Sequence, residues 1–209
     1  RGPAEHVLLL AAHHIVVDAW SIGLMVSEWL TLYEALKGGR PEPLVPLRSR
    51  YADFVRWQEH LVSGAAGEEM LAYWRRQLRG PLPTIQLPTD RSRPSDLSFR
   101  GGERAFRMEE DVTDRLRALA RQHGTTLFSL LLAVYQTLLH RYFGQEDLLV
   151  GAPTAGRSRA EFEGVVGYFV NPVVMRGDLA GDPPFCDLVE RTGGMVVDAL
   201  RNADFPFPL

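Results

Sequence analysis

A single cysteine, Cys186, is all that the chain of 209 residues contains. One thiol cannot close an internal disulfide, so a cytoplasmic setting is the default. Cys186 follows Phe185 at the start of a predicted helix and reads as a packing residue rather than a nucleophile. No apolar run approaches the roughly 20 residues of a membrane span. The opening residues Arg1-Gly2-Pro3-Ala4-Glu5-His6 lack the charged, apolar and small-residue regions of a secretory signal. Basic residues do not cluster and the formal net charge is −3, so neither nucleic acid nor a membrane is an expected partner. Repeats and low-complexity tracts are missing too. What remains is 45% hydrophobic and 23% charged, the balance of an ordinary globular chain long enough for one or two domains.

The most informative stretch that is present is His13-His14-Ile15-Val16-Val17-Asp18-Ala19-Trp20-Ser21. It follows an apolar run, residues 6–12, that reads as a buried strand. Two imidazoles and a carboxylate thus stand where a strand gives way to a helix, and a rigid element delivers side chains to an edge. Histidine moves protons near neutral pH because its unperturbed pKa is about 6.5. Taken alone the pattern leaves several readings open. His13 and Asp18 fit the H-x4-D spacing of glycerolipid acyltransferases, a His-rich zinc site is another option, and a structural histidine pair at a strand end is a third. Against zinc, adjacent histidines of an extended strand diverge, and no further His or Cys lies at ligand spacing, so no metal is expected.

Helices and short strands alternate along the chain, which gives an α/β or α+β class. Apolar periodicity predicts helices over residues 20–37, 51–62, 68–78, 111–123, 127–143 and 183–202. The helix at 127–143 is apolar on most sides and reads as buried, and Gly193-Gly194 weakens the last one. Strands are predicted at 103–108, 148–152 and 170–176, with Pro172 favouring an edge or a strand start. Residues 80–94 hold four prolines, Pro81, Pro83, Pro88 and Pro94, and are the clearest boundary. The division expected is 1–94 and 95–209.

Further blocks follow the histidine motif in order: Tyr51-Ala52-Asp53-Phe54-Val55-Arg56-Trp57-Gln58, then Leu87-Pro88-Thr89-Asp90-Arg91 with Pro94, then Gly151-Ala152-Pro153-Thr154-Ala155-Gly156-Arg157, then Gly167-Tyr168-Phe169-Val170-Asn171-Pro172-Val173-Val174-Met175-Arg176, and last Asp204-Phe205-Pro206-Phe207. Together with His13-His14…Asp18 they resemble the condensation domains of nonribosomal peptide synthetases, whose HHxxxDG motif has Gly where this chain has Ala19. Chloramphenicol acetyltransferases carry a related motif. The resemblance implies a chloramphenicol-acetyltransferase-like sandwich of two lobes with a tunnel between them. On that reading residues 1–94 are the second part of the N-terminal lobe and 95–209 the first part of the C-terminal lobe, incomplete at both ends.

The resemblance also implies the chemistry: amide formation between a donor acyl or peptidyl thioester and an acceptor aminoacyl thioester. Both are carried on 4'-phosphopantetheine arms of partner carrier domains, beside an adenylation domain, and no cofactor is bound directly. His14 is the implied catalytic residue, as general base or as a hydrogen-bonding group at the attacking amine. His13, Asp18 and Arg157 support it, with Asp18 and Arg157 paired to hold the loop. The alternative for Asp18 is a helix cap, with Arg157 on the surface. Trp20, Ser21 and Asn171 are implied to lie along the substrate tunnel, although Trp20 also fits an ordinary core and Asn171 a structural role. Epimerisation domains and freestanding acyltransferases share this fold and the His pair. An inactive piece that serves as an interaction scaffold is the non-enzymatic alternative, and the 209-residue chain alone is expected to be inactive in condensation.

Overall fold

A computed structural model describes residue 2 and residues 5–41, 43–85, 88–90, 96 and 99–209. Three of the helices, α1, α2 and α5, start where a side chain accepts from a free amide at the first turn. Asp18, in an extended conformation, accepts from the Ser21 amide at 2.7 Å and opens α1, Ala19–Lys37. Asp53 accepts from the Arg50 amide at 2.7 Å and opens α2, Tyr51–Ser63. After a one-residue break at Gly64 comes α3, Ala65–Gln77. Next are α4, Glu110–Gln122, and α5, Leu127–Phe143. Thr126 caps α5 at its start, and left-handed Gly144 closes it by donating to the His140 carbonyl. The chain ends with β1, Asp147–Thr154, a 3-10 turn at Ala160–Phe162, β2, Asn171–Asp178, and α6, Phe185–Arg201.

Among the described residues the sheet has two strands. Leu179 donates to the Glu146 carbonyl at one end, and the Thr154 hydroxyl donates to the Asn171 carbonyl at the other, so the pair is antiparallel. Along β2 the buried positions alternate: Asn171, Val173, Met175 and Gly177 face in.

Two compact units form, and both are discontinuous in sequence. One comprises Arg1–Ala72, Pro153–Pro172 and Ala203–Leu209. Its core is aromatic: Phe54, Phe162 and Phe169 with Val165, flanked by Tyr51 and Trp57. The rings of Phe54 and Phe169 are centred 4.5 Å apart. The other comprises Tyr73–Ala152 and Val173–Asn202. Its core gathers Leu130, Ala133 and Leu139 of α5, Leu148 of β1, Leu188 and Val189 of α6, and Ala120 and Leu179. These units differ from a sequential division at residue 94, because residues 153–172 and 203–209 pack with the first 72. Of the proline-rich boundary, Leu87, Arg91 and Pro94 lie outside the described residues.

Three expectations need correction. Residues 6–12 form no strand, and Val7, Leu8, Leu9 and Leu10 are exposed. Residues 103–108 likewise form no strand. An apolar run becomes a strand only where a partner supplies ladder hydrogen bonds, and among the described residues neither segment has one. Helix α5 is only half buried: Leu130, Ala133, Gln136 and Leu139 face the core, while Phe128, Tyr135, Leu138 and Tyr142 face outward.

Candidate functional site around His14 and Asp18

The predicted motif residues meet inside one unit. Asp18 is 1% exposed, and both its carboxylate oxygens are engaged. Oδ1 accepts from the Ser21 amide at 2.7 Å and from Arg157 Nη2 at 3.2 Å. Oδ2 accepts from the Phe169 amide at 3.0 Å. The carboxylate therefore pairs with Arg157 and caps α1 as well, with Arg157 buried beside it rather than on the surface. Burial works to raise its carboxyl group, but hydrogen bonds from Ser21 and Phe169 and the charge of Arg157 outweigh that and hold it below the usual carboxylate range.

Arg157 is anchored on every side but one. Nη1 donates to the carbonyls of Phe162 and Val165, both at 2.9 Å, and Nη2 also donates to the Ser21 hydroxyl at 2.8 Å. The guanidinium lies 3.8 Å from the centroid of the Phe169 ring, and its buried Nε has no hydrogen-bond partner among the described residues. Burial draws its pKa down and Asp18 opposes this; arginine stays charged regardless. Gly156, just before it, has φ 62° and sits where a Cβ would overlap the Phe169 carbonyl, so the turn that delivers Arg157 requires glycine.

Ser21 is fully buried, and its hydroxyl is spent within the protein. It donates to the Gly167 carbonyl at 2.8 Å and accepts from the Gly167 amide at 3.0 Å. Trp20 is half exposed and donates through its indole N–H to the Glu163 carbonyl at 2.9 Å. Asn171 is buried; its amide donates to the Ala203 and Phe205 carbonyls, both at 2.7 Å, and its oxygen accepts from the Phe207 amide at 2.9 Å. Asn171 thus ties down the Asp204-Phe205-Pro206-Phe207 block. Ala19 is the first residue of α1, and positive φ at non-glycine residues is confined among the described residues to Phe99 and Asp182. Alanine therefore stands in the glycine position without backbone strain.

The two histidines diverge. Residues 14–16 form a turn in which the Val16 amide donates to the His13 carbonyl at 3.1 Å. The His13 ring folds back, its Nδ1 accepting from the Ile15 amide at 3.1 Å. His14 is exposed and meets the ring of Tyr168 edge-on, centroids 5.3 Å apart and planes at 80°. Three partners of this site are not evident from the histidine motif: Gly167, whose Cβ would fall on the Tyr51 ring, Tyr168 itself, and Tyr51, whose hydroxyl donates to the Tyr168 carbonyl at 2.7 Å. Burial, then the negative charge of Asp18, raises the Tyr51 phenol and keeps it a donor. Among the described residues no three His, Cys, Asp or Glu side chains converge to hold a metal ion, and no helix is long and apolar enough to cross a membrane.

A family model described as "Condensation domain" matches residues 1–209. The chain is 46% identical over 207 residues to chondramide synthase cmdD of Chondromyces crocatus, covering 99% of this chain and 5% of that protein. It is 45% identical over 200 residues to phosphinothricin tripeptide synthetase PhsB of Streptomyces viridochromogenes, covering 96% of this chain and 17% of that protein. The chain thus spans only a small part of the synthetases it matches. Among solved structures, the X-domain from teicoplanin biosynthesis superposes with a TM-score of 0.83 at 29% identity, covering 93% of this chain and 44% of that one.

Proposed function

Because the chain belongs to the condensation-domain family, we propose that it takes part in joining a donor acyl or peptidyl thioester to the α-amine of an acceptor aminoacyl thioester. Both substrates arrive on 4'-phosphopantetheine arms of carrier domains, in a cytoplasmic synthetase with an adenylation domain as neighbour. The amine nitrogen bonds to the thioester carbonyl carbon, the C–S bond breaks, and the amine proton passes through His14 to the departing thiolate. The observation that carries this reading is the contrast between His14 and its surroundings. Of the two exposed imidazoles of the motif only His14 has no hydrogen bond among the described residues, while Asp18, Ser21 and Arg157 behind it are consumed by one another. A thioester is already activated, so alignment and one proton transfer suffice; orientation can contribute about 7–11 kcal/mol and base catalysis about 10²–10⁴-fold.

Within this reading Asp18 and Arg157, with Ser21, hold the loop, and His13 closes the turn before it. Half-exposed Trp20 faces the substrate path, and Asn171 braces the wall from behind. On this reading the 209 residues alone are expected to be inactive, because residues 6–12, just before the histidines, have no ladder partner among the described residues. The test is to load donor and acceptor carriers against the full polypeptide and follow the amide product by mass spectrometry. His14→Ala is expected to lose at least about 100-fold in rate; wild-type turnover by that variant would sink the assignment.

A further inference from the structure

We infer that Tyr168 is a positioning residue that sets the orientation of the His14 ring, and the inference rests on the reading of His14 given above. His14 stands in a turn and is exposed, so its own backbone leaves the ring free to rotate about χ1 and χ2. Among the described residues its one aromatic contact is the edge-on approach to Tyr168 at 5.3 Å. Such pairs have a preferred geometry as well as a modest energy, so they select an orientation.

Tyr168 can do this only if its own place is fixed, and every flank of it is. The amide and carbonyl of Gly167 are both bonded to the Ser21 hydroxyl. The Tyr168 carbonyl accepts from the Tyr51 hydroxyl at 2.7 Å. The Phe169 amide donates to Asp18 at 3.0 Å. Three side chains from α1, its cap and α2 thus hold three consecutive peptide units, and Tyr168 between them is 39% exposed. The hydrogen bonds of the buried Asp18, Ser21 and Arg157 cluster go to one another and to backbone, and they reach the His14 ring through the peptide that carries Tyr168. A rigid internal network and an exposed proton carrier are joined by one aromatic side chain.

The experiment has two arms. In the first, NMR of the 209-residue chain looks for cross-relaxation between the ring protons of His14 and Tyr168. It is expected in wild type, retained in Tyr168→Phe, and lost in Tyr168→Leu with the His14 ring shifts moved toward those of a free histidine. In the second, the full polypeptide with loaded carriers is assayed. Tyr168→Leu is expected to lower kcat by about two- to tenfold with KM unchanged, and Tyr168→Phe to recover most of it. His14→Ala in the same assay separates the two readings. If His14→Ala is inactive while Tyr168→Leu turns over like wild type, the positioning role is wrong and the His14 assignment stands. A rise in KM with kcat unchanged would make Tyr168 a substrate contact instead and also overturn the inference. Absence of the wild-type cross-relaxation overturns it whatever the kinetics, even if Tyr168→Leu fails to fold.

Discussion

Asp18 concentrates the structural demands of this site in two oxygen atoms. It ends the turn after the histidines, starts α1, holds Arg157 and fixes the peptide of Phe169. Both partners of the ion pair are almost wholly buried. A buried pair is weak evidence of net stabilisation, but removing one partner strands the other, at a cost of about 3–5 kcal/mol. Asp18→Ala should therefore lose stability in denaturant melts before its effect on chemistry can be read. The pH dependence has a definite sign. The folded carboxyl titrates below its unfolded value, so its contribution is present above about pH 4 and is lost as the pH falls through the folded value. Wild-type stability should fall across that acid window, and Asp18→Ala should fall less steeply there. Equal slopes for the two proteins would remove Asp18 from the account.

At the scale of elements, Asn171 at the head of β2 and the block at 203–207 form a clasp. Asn171→Ala would leave two carbonyls and one amide without their partner. Each buried group left unsatisfied costs about 1–3 kcal/mol, less where water can reach it. The expected outcome is at least about tenfold faster amide hydrogen exchange at Phe207, with α4 and α5 unchanged; unchanged exchange at Phe207 would refute the clasp. The helices were legible because periodicity and caps are local properties: Asp18, Thr126 and Gly144 mark their own ends. The errors sit where a distant partner decides. Residues 6–12 and 103–108 are strand-like in composition, yet a strand exists only as half of a pair. Glycines misled in the opposite direction. The helix predicted from residue 68 starts three residues earlier and takes in Gly67, where a Cβ would come 2.6 Å from the Leu61 carbonyl, so only glycine lets α3 start against the end of α2. Gly193 likewise lies within an unbroken α6, pressed against the Thr125 side chain. Of the site, the sequence offered candidate residues but not the wiring among them. The Asp18 and Arg157 partnership followed from the family resemblance, whereas the route from Ser21 through Gly167 to Tyr168 depends on backbone positions that carry no signal in a sequence.

For the whole molecule the decisive quantity is apolar surface left facing water. In one unit Val7, Leu8 and Leu9 are 73%, 63% and 87% exposed along a segment with no strand partner among the described residues. In the other, Phe128, Tyr135, Leu138 and Tyr142 leave the outer face of α5 open. Soluble monomers rarely present contiguous apolar patches of this kind, and an unpaired extended segment also offers free amides and carbonyls to another chain. Burying one such leucine contributes about 1.5–3 kcal/mol, so several together can offset the roughly 4–15 kcal/mol that association costs. The 209-residue chain is therefore expected to self-associate as its concentration rises, as read by sedimentation velocity. Leu9→Lys, which breaks the segment without touching either core, should weaken that association by about tenfold or more while leaving the circular dichroism of the monomer unchanged. The outer face of α5 supplies the control: Leu138→Lys tests whether the second patch contributes independently. If both variants associate like wild type, neither surface drives contact between chains. A wild-type chain that stays monomeric to about millimolar concentration would show that these side chains are covered in solution by rearrangement of the chain itself.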